Sequence, residues 1–185
     1  MKYFKKIIGD RIYLSPMNKD DTEIYTKWLN DAEVSANLGQ YSRMFTLQNE
    51  QKFLEDITSS GKQNFSIVTN DGDTLLGSIG IDEPNHINRS AVIGLFIGEK
   101  ENRGKGYGAE ALRLMLNYCF KTLNLHNIML YVYSNNEQGI ACYKKVGFSE
   151  MGRRREAKFK DGEYVDIIYM DILSREFITH PQNPI

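Results

Sequence analysis

Cysteine is nearly absent from this chain: only Cys119 and Cys142 occur in 185 residues. Both fall inside stretches of helical periodicity, which argues against a disulfide framework and for a thiol-keeping compartment such as the cytoplasm. Histidine is also scarce. His86, His126 and His180 have no cysteine or histidine neighbours at ligand spacing, so no metal site is expected. Charge of one sign is missing too. The 23 Lys+Arg against 24 Asp+Glu leave a formal net charge of −1. A nucleic-acid binder usually carries a basic surplus and a disordered, solvating chain an acidic one, and neither description fits. No run approaches the ~20 consecutive apolar residues of a membrane-spanning helix. The opening Met1–Asp10 is basic with no apolar stretch behind it, so neither a signal peptide nor a membrane partner is expected. No internal repeat, low-complexity tract or Pro/Gly/Ser-rich linker divides the chain. One domain over residues 1–178 is expected. Residues 179–185, which hold two of the 4 prolines, are expected to be a loose tail.

What remains is ordinary globular composition, 41% hydrophobic and 25% charged. A domain of this length buries roughly 70% of its unfolded-chain surface, so a real core is available. Arg11–Ser15 alternates and predicts a short strand ending at Pro16. Asp20 and Asp21 are placed to cap a helix whose apolar face is Ile24, Tyr25, Trp28 and Leu29. A second helix follows Thr46, with Leu47, Phe53, Leu54 and Ile57 on one side. Phe65–Thr69 and Leu75–Ile81 predict two strands joined by Asn70–Asp73, whose Asp-Gly step is a hairpin signal. Ala91–Gly98 is almost continuously apolar and predicts a central buried strand. Leu112, Met115, Leu116, Cys119, Phe120 and Leu123 recur at helical spacing, the clearest helix in the chain. Asn127–Tyr133 is the next strand. Asn136 is placed to cap a short helix that ends at Gly147, and two strands follow with Asp161-Gly162 as their turn. The order predicts a mixed α/β or α+β domain built on one sheet.

The strongest chemical signal lies between the apolar strand and the long helix: Arg103-Gly104-Lys105-Gly106-Tyr107-Gly108. Glycine lets backbone approach a ligand closely and adopt positive φ. The first turn of a helix offers unpaired N–H groups and partial positive charge. Together they suit a phosphate, although a surface turn before a helix would read the same way on glycine spacing alone. Two familiar phosphate cradles are excluded. No G-x-x-x-x-G-K-[S/T] string exists, and the G-x-G-x-G spacing past mid-chain does not match the dinucleotide fingerprint.

Arg103, Gly106 and Gly108 resemble the Q/R-x-x-G-x-G/A signature of the GCN5-related N-acetyltransferases. A second block agrees: Val132–Asn136, Gly139, Tyr143 and Lys145–Phe148, with Gly139 where alanine is usual. Trp28-Leu29-Asn30-Asp31 and the stretch from Gly147 through Asp166 are similar to the branch holding ribosomal-protein N-terminal and spermidine acetyltransferases. The resemblance implies a mostly antiparallel, twisted sheet with a splayed parallel pair, Ala91–Gly98 and Asn127–Tyr133, flanked by helices. It implies acetyl-CoA as co-substrate, with pantetheine contacts at Phe96, Ile97 and Gly98. The pyrophosphate is implied on the amides of Gly104, Lys105, Gly106, Tyr107, Gly108 and Ala109, with added charge from Arg103. Asn136 is implied to bond the cofactor, though its position equally fits a plain helix cap. Tyr143 matches the family acid that protonates the leaving thiolate, and its helical spacing equally fits a core tyrosine.

Other features carry blander readings. Arg153-Arg154-Arg155 reads as a solvated strand edge, and Cys142 as helix packing. Tyr25, Trp28, Tyr41 and Phe45 could line an acceptor site, while the helical partners of Trp28 favour a core role. The implied acceptor is a primary amine, a small cationic molecule such as a polyamine or else a protein N-terminus. Asp31, Glu33, Asp82 and Glu83 are candidate carboxylates for it. A CoA-binding sensor without turnover is the alternative. Many relatives carry a glutamate base in an Ala-Glu-Ile-Gly string, whereas here it reads Ala91-Val92-Ile93-Gly94; a second family site falls at Tyr131. Proton loss without a dedicated carboxylate is therefore expected. A homodimer is a family expectation.

Overall fold

The computed structural model describes residues 1–160 and 162–179, with backbone alone at Glu83 and Lys160. They form two compact units. The first comprises Met1–Ile81 and Leu95–Leu114; the second comprises Asp82–Gly94 and the described residues from Met115 onward.

In the first unit β1 (Ile7–Ile8), β2 (Ile12–Pro16), β3 (Asn64–Thr69) and the start of β4 (Leu75–Asn85) are successive antiparallel neighbours. The end of β5 (Ser90–Ile97) joins them, since Gly98 N–H donates to Leu76 O at 2.8 Å. The β3–β4 hairpin forms where the Asp-Gly step predicts, with its left-handed residues at Gly72 and Asp73. The helices are α1 (Thr22–Leu29), α2 (Ala32–Asn37), α3 (Leu47–Ser60) and α4 (Tyr107–Asn117), which continues into the second unit. One core cluster packs Tyr13, Tyr25, Trp28, Leu54, Ile57 and Val68.

Asp21 occupies the N-cap position of α1 but makes no capping bond. Its carboxylate turns inward, accepts from Tyr3 Oη at 2.9 Å and pairs with Lys2. Burial and that bond raise the Tyr3 phenol above its ordinary range. Leu47 and Phe53 are exposed, and α3 instead buries Glu50, Leu54 and Ile57, an i, i+4, i+7 stripe. The sequence pattern predicts neither β1 nor α2, because two and six residues are far shorter than the window over which periodicity is read.

In the second unit the strand order is β5, β6 (Asn127–Tyr133), β8 (Glu163–Leu173), β7 (Ser149–Lys160). β5 and β6 are parallel and the rest antiparallel, so the sheet is mixed and mostly antiparallel. The facing pairs Ile128–Ile172, Leu130–Met170 and Val132–Ile168 are all buried, one apolar face built by period-2 alternation. The parallel ladder ends at Val92–Met129, and the strands part there. β5 is consequently not the fully buried strand its composition predicts. Ala91 and Ile93 are buried, but Gly94 is exposed. Helical periodicity continues past α4 through a π-helical segment, Tyr118–Thr122, that buries Cys119. α5 (Glu137–Val146) ends at Gly147, φ 114°. α6 (Ser174–Thr179), which the sequence pattern does not predict, is anchored by Phe177 against Phe120 at 5.5 Å between ring centroids. Residues 180–185 lie outside the described residues. Among the described residues no helix is long and apolar enough to cross a membrane.

Candidate active site

Gly104 and Gly106 are left-handed, with φ 72° and 87°, a conformation that side chains with a Cβ rarely adopt. Gly104, Lys105 and Gly106 are exposed. α4 starts at Tyr107, and the first helical bond runs from Glu110 N–H to Gly106 O at 3.1 Å. The N–H groups of Tyr107, Gly108 and Ala109 therefore have no partner within the helix. The turn thus presents open amides and a positive helix end next to Lys105, a donor set that fits a phosphate.

Arg103 is held by protein groups. Its Nε donates to Ile97 O at 3.1 Å and Nη2 to Gly98 O at 2.5 Å, while Nη1 pairs with Glu33 Oε1 at 2.8 Å. Asp31 Oδ1 lies 4.0 Å from the same guanidinium and caps α2 by accepting from the N–H groups of Glu33 and Val34. The structure thus gathers Asp31, Glu33 and Arg103, which the sequence reading had assigned to two different ligands.

The residues preceding the turn are fixed by aromatic packing. Phe96 meets Tyr25 and Trp28 edge-on at 6.3 and 6.1 Å. Trp28 is buried and its Nε1 donates to Glu99 Oε1 at 2.9 Å, so it belongs to the core. Lys27 reaches the same oxygen, and these two bonds hold the Glu99 carboxyl below its ordinary range. Tyr41 is exposed, and Phe45 is half-buried.

Sequence reasoning missed Arg11. From the start of β2 its Nη1 donates to Lys105 O at 2.9 Å, and its guanidinium lies 4.8 Å from the Tyr107 ring centroid. No local signal marks it, because its partners lie more than ninety residues away.

Asn136, Tyr143, Asp82 and Glu83 belong to the second unit. Asn136 Oδ1 accepts from Gly139 N–H at 2.9 Å, so it does cap α5. A Cβ at Gly139 would stand 2.7 Å from Asn136 Nδ2, so a larger residue there would push on the capping side chain. Tyr143 is half-buried beside Phe148, with ring centroids 6.1 Å apart, and its hydroxyl bonds to none of the described residues. Burial, with a smaller contribution from Cys142, raises its phenol above the ordinary value, so it stays protonated through neutral pH. Asp82 is exposed, and the Glu83 side chain lies outside the described residues. Val92 is half-buried, and Tyr131 is 52% exposed beside Tyr169. Arg153 to Arg155 are exposed, and Arg153 pairs with Glu150 and Asp166.

A family model described as an acetyltransferase (GNAT) domain matches residues 11–149. An uncharacterized N-acetyltransferase of Bacillus licheniformis is 26% identical over 171 residues, spanning 91% of this chain and 96% of that protein. A spermidine N(1)-acetyltransferase of Vibrio cholerae is 31% identical over 133 residues, spanning 72% of this chain and 76% of that protein. A crystal structure of spermidine N-acetyltransferase from Vibrio cholerae, in complex with CoA and spermine, superposes with a TM-score of 0.80 at 26% identity. It covers 90% of this chain and 97% of that one.

Proposed function

The chain belongs to the GNAT family of acetyltransferases, and on that premise we propose that it moves acetyl from acetyl-CoA to the primary amine of a small polycation such as a polyamine. The observation that carries the cofactor assignment is the pair of left-handed glycines opening onto the unpaired amides of α4. Bound acetyl-CoA would supply a thioester, and the amides from Gly104 to Ala109, of which Gly104, Lys105 and Gly106 lie on exposed residues, would hold its pyrophosphate. Phe96, Ile97 and Gly98 would meet the pantetheine arm, and Asn136 would bond the cofactor with the amide hydrogens its cap leaves free. Tyr143 would donate the proton that the departing CoA thiolate takes up. Such acids contribute roughly 10²–10⁴-fold.

The polyamine reading is supported by likeness to a spermidine acetyltransferase and by the acids Asp31, Glu33, Asp82 and Glu83. With Arg103 on its other side, Glu33 would serve the acceptor as part of an ion pair and not as a lone carboxylate.

Gly106→Val tests the cofactor site. At φ 87° a β-branched residue is strained, and its Cβ would crowd Arg11 Nη2 at 3.2 Å. The Kd for CoA should rise at least tenfold, about 1.4 kcal/mol, by calorimetry. Unchanged affinity in a folded variant rejects this placement. A panel of spermidine, spermine, an aminoglycoside and a peptide with a free N-terminus, read by thiol release, tests the acceptor. Peptide turnover above polyamine turnover rejects the small-amine reading, and binding without any thiol release indicates a CoA sensor.

A further inference from the structure

Arg11 meets the glycine turn through three independent contacts. Glu110, in the first turn of α4, takes its Nε on Oε2 at 3.0 Å and its backbone N–H on Oε1 at 2.8 Å. The same Oε1 receives Ile12 N–H at 3.3 Å. The guanidinium lies over the Tyr107 ring at 4.8 Å. Nη1 then donates to the carbonyl of Lys105 at 2.9 Å. A guanidinium is a planar fork, so a tether at Nε, an aromatic ring against its carbon and a donor bond from Nη1 together restrict its orientation.

This orientation acts on the turn through peptide geometry. In a trans peptide the C=O and the following N–H point in opposite directions. Holding the Lys105 carbonyl toward Arg11 therefore turns the Gly106 N–H away from it. Gly106, at φ 87°, has no side chain to resist or lock that plane, and a glycine-rich turn is free to rotate its peptides. An arginine anchored to the first turn of the helix removes that freedom.

We propose that Arg11 is a positioning residue that pre-orients the Lys105–Gly106 peptide so that the Gly106 amide faces the cofactor pyrophosphate. The proposal rests on the acetyl-CoA reading above. Arg11 acts on the phosphates through the turn and need not touch the thioester or the amine. Its loss should weaken only ligands that carry the pyrophosphate.

The test compares acetyl-CoA with S-acetylpantetheine, which keeps the thioester and pantetheine arm but lacks the pyrophosphate. For Arg11→Ala the KM for acetyl-CoA should rise about tenfold with kcat within twofold of wild type. The kcat/KM for S-acetylpantetheine should stay within twofold. Arg11→Lys should recover only part of the loss, because a point charge neither forks nor stacks. Glu110→Gln, which loosens the tether without touching the turn, should move acetyl-CoA in the same direction by a smaller factor. It serves as the deciding variant if Arg11→Ala loses its cooperative thermal melt. Equal losses for both acyl donors, or no loss for acetyl-CoA, overturn the proposal. If wild-type enzyme uses S-acetylpantetheine as well as acetyl-CoA, the pyrophosphate reading itself fails, a result distinct from either outcome for Arg11.

Discussion

The indole of Trp28 occupies the space that a β-carbon on Gly98 would need, for a Cβ there would stand 2.1 Å from Trp28 Cδ2. A residue of α1 thus dictates that β5 must be followed by glycine, just before the turn that begins at Arg103. The same tryptophan is tied to the next residue, Glu99, by its Nε1.

Gly98→Ala should therefore force Trp28 or the backbone to move, at a cost of about 1–3 kcal/mol, the usual range for overpacking. For a chain of this size that is a drop of roughly 2–4 °C in Tm per kcal/mol. A thermal melt unchanged from wild type would show that the ring has room to shift.

Glu50 lies buried on α3, and loss of water pushes its carboxyl up to about 7. In the unfolded chain a glutamate ionises near about 4.3. Between these values the folded protein retains a proton that the unfolded chain has released. Stability should fall as pH rises through that window and level off above about 7. Glu50→Gln should flatten the slope and exceed the parent at pH 8 by about 1–3 kcal/mol. Urea melts at pH 5 and pH 8 check this; identical pH slopes in both proteins would contradict it.

Tyr143→Phe keeps the ring beside Phe148 and removes only the hydroxyl. We expect kcat to fall by roughly 10²-fold with the Kd for CoA nearly unchanged. Wild-type turnover, with chemistry rate-limiting, would exclude Tyr143 as the acid.

The pH–rate profile addresses the missing base. The family resemblance implies a glutamate base at the position of Val92 or of Tyr131, and neither residue is a carboxylate. An alkylamine with a pKa near ~10 must lose a proton before it attacks. Without a dedicated carboxylate, kcat/KM should keep climbing toward the amine's own pKa. The raised Tyr143 phenol should add no decline below that point. A plateau near pH 6–7 that one Asp, Glu or His substitution abolishes would reveal a base elsewhere. Glu50 is the first variant to try, because its carboxyl titrates in that interval.

Local pattern accounts for much of the fold. β6 was legible because Ile128 to Tyr133 is a short unbroken apolar and aromatic run, whereas which of its side chains are buried was shown only by the fold. α5 was legible because Asn136 and Gly147 mark its two ends chemically. The glycine turn was legible because positive φ restricts residue choice, and Gly104 and Gly106 do adopt it. Short elements such as β1, α2 and α6 were not, since two to six residues repeat a period too few times to rise above chance.

By itself the sequence determined the family, the order of the main elements and the place of the turn, all properties of near neighbours along the chain. Tertiary structure alone decided what the charged side chains do. Asp21 could cap its helix locally, yet it turns inward to Tyr3. Arg103 could face a phosphate, yet it spends its donors on Ile97, Gly98 and Glu33. Arg11 reads in the sequence only as the start of a strand, and its side chain gains a role only where Lys105, Tyr107 and Glu110 are brought to it. Long flexible side chains choose partners by proximity in space, and proximity between residues far apart in the chain exists only once the chain has folded.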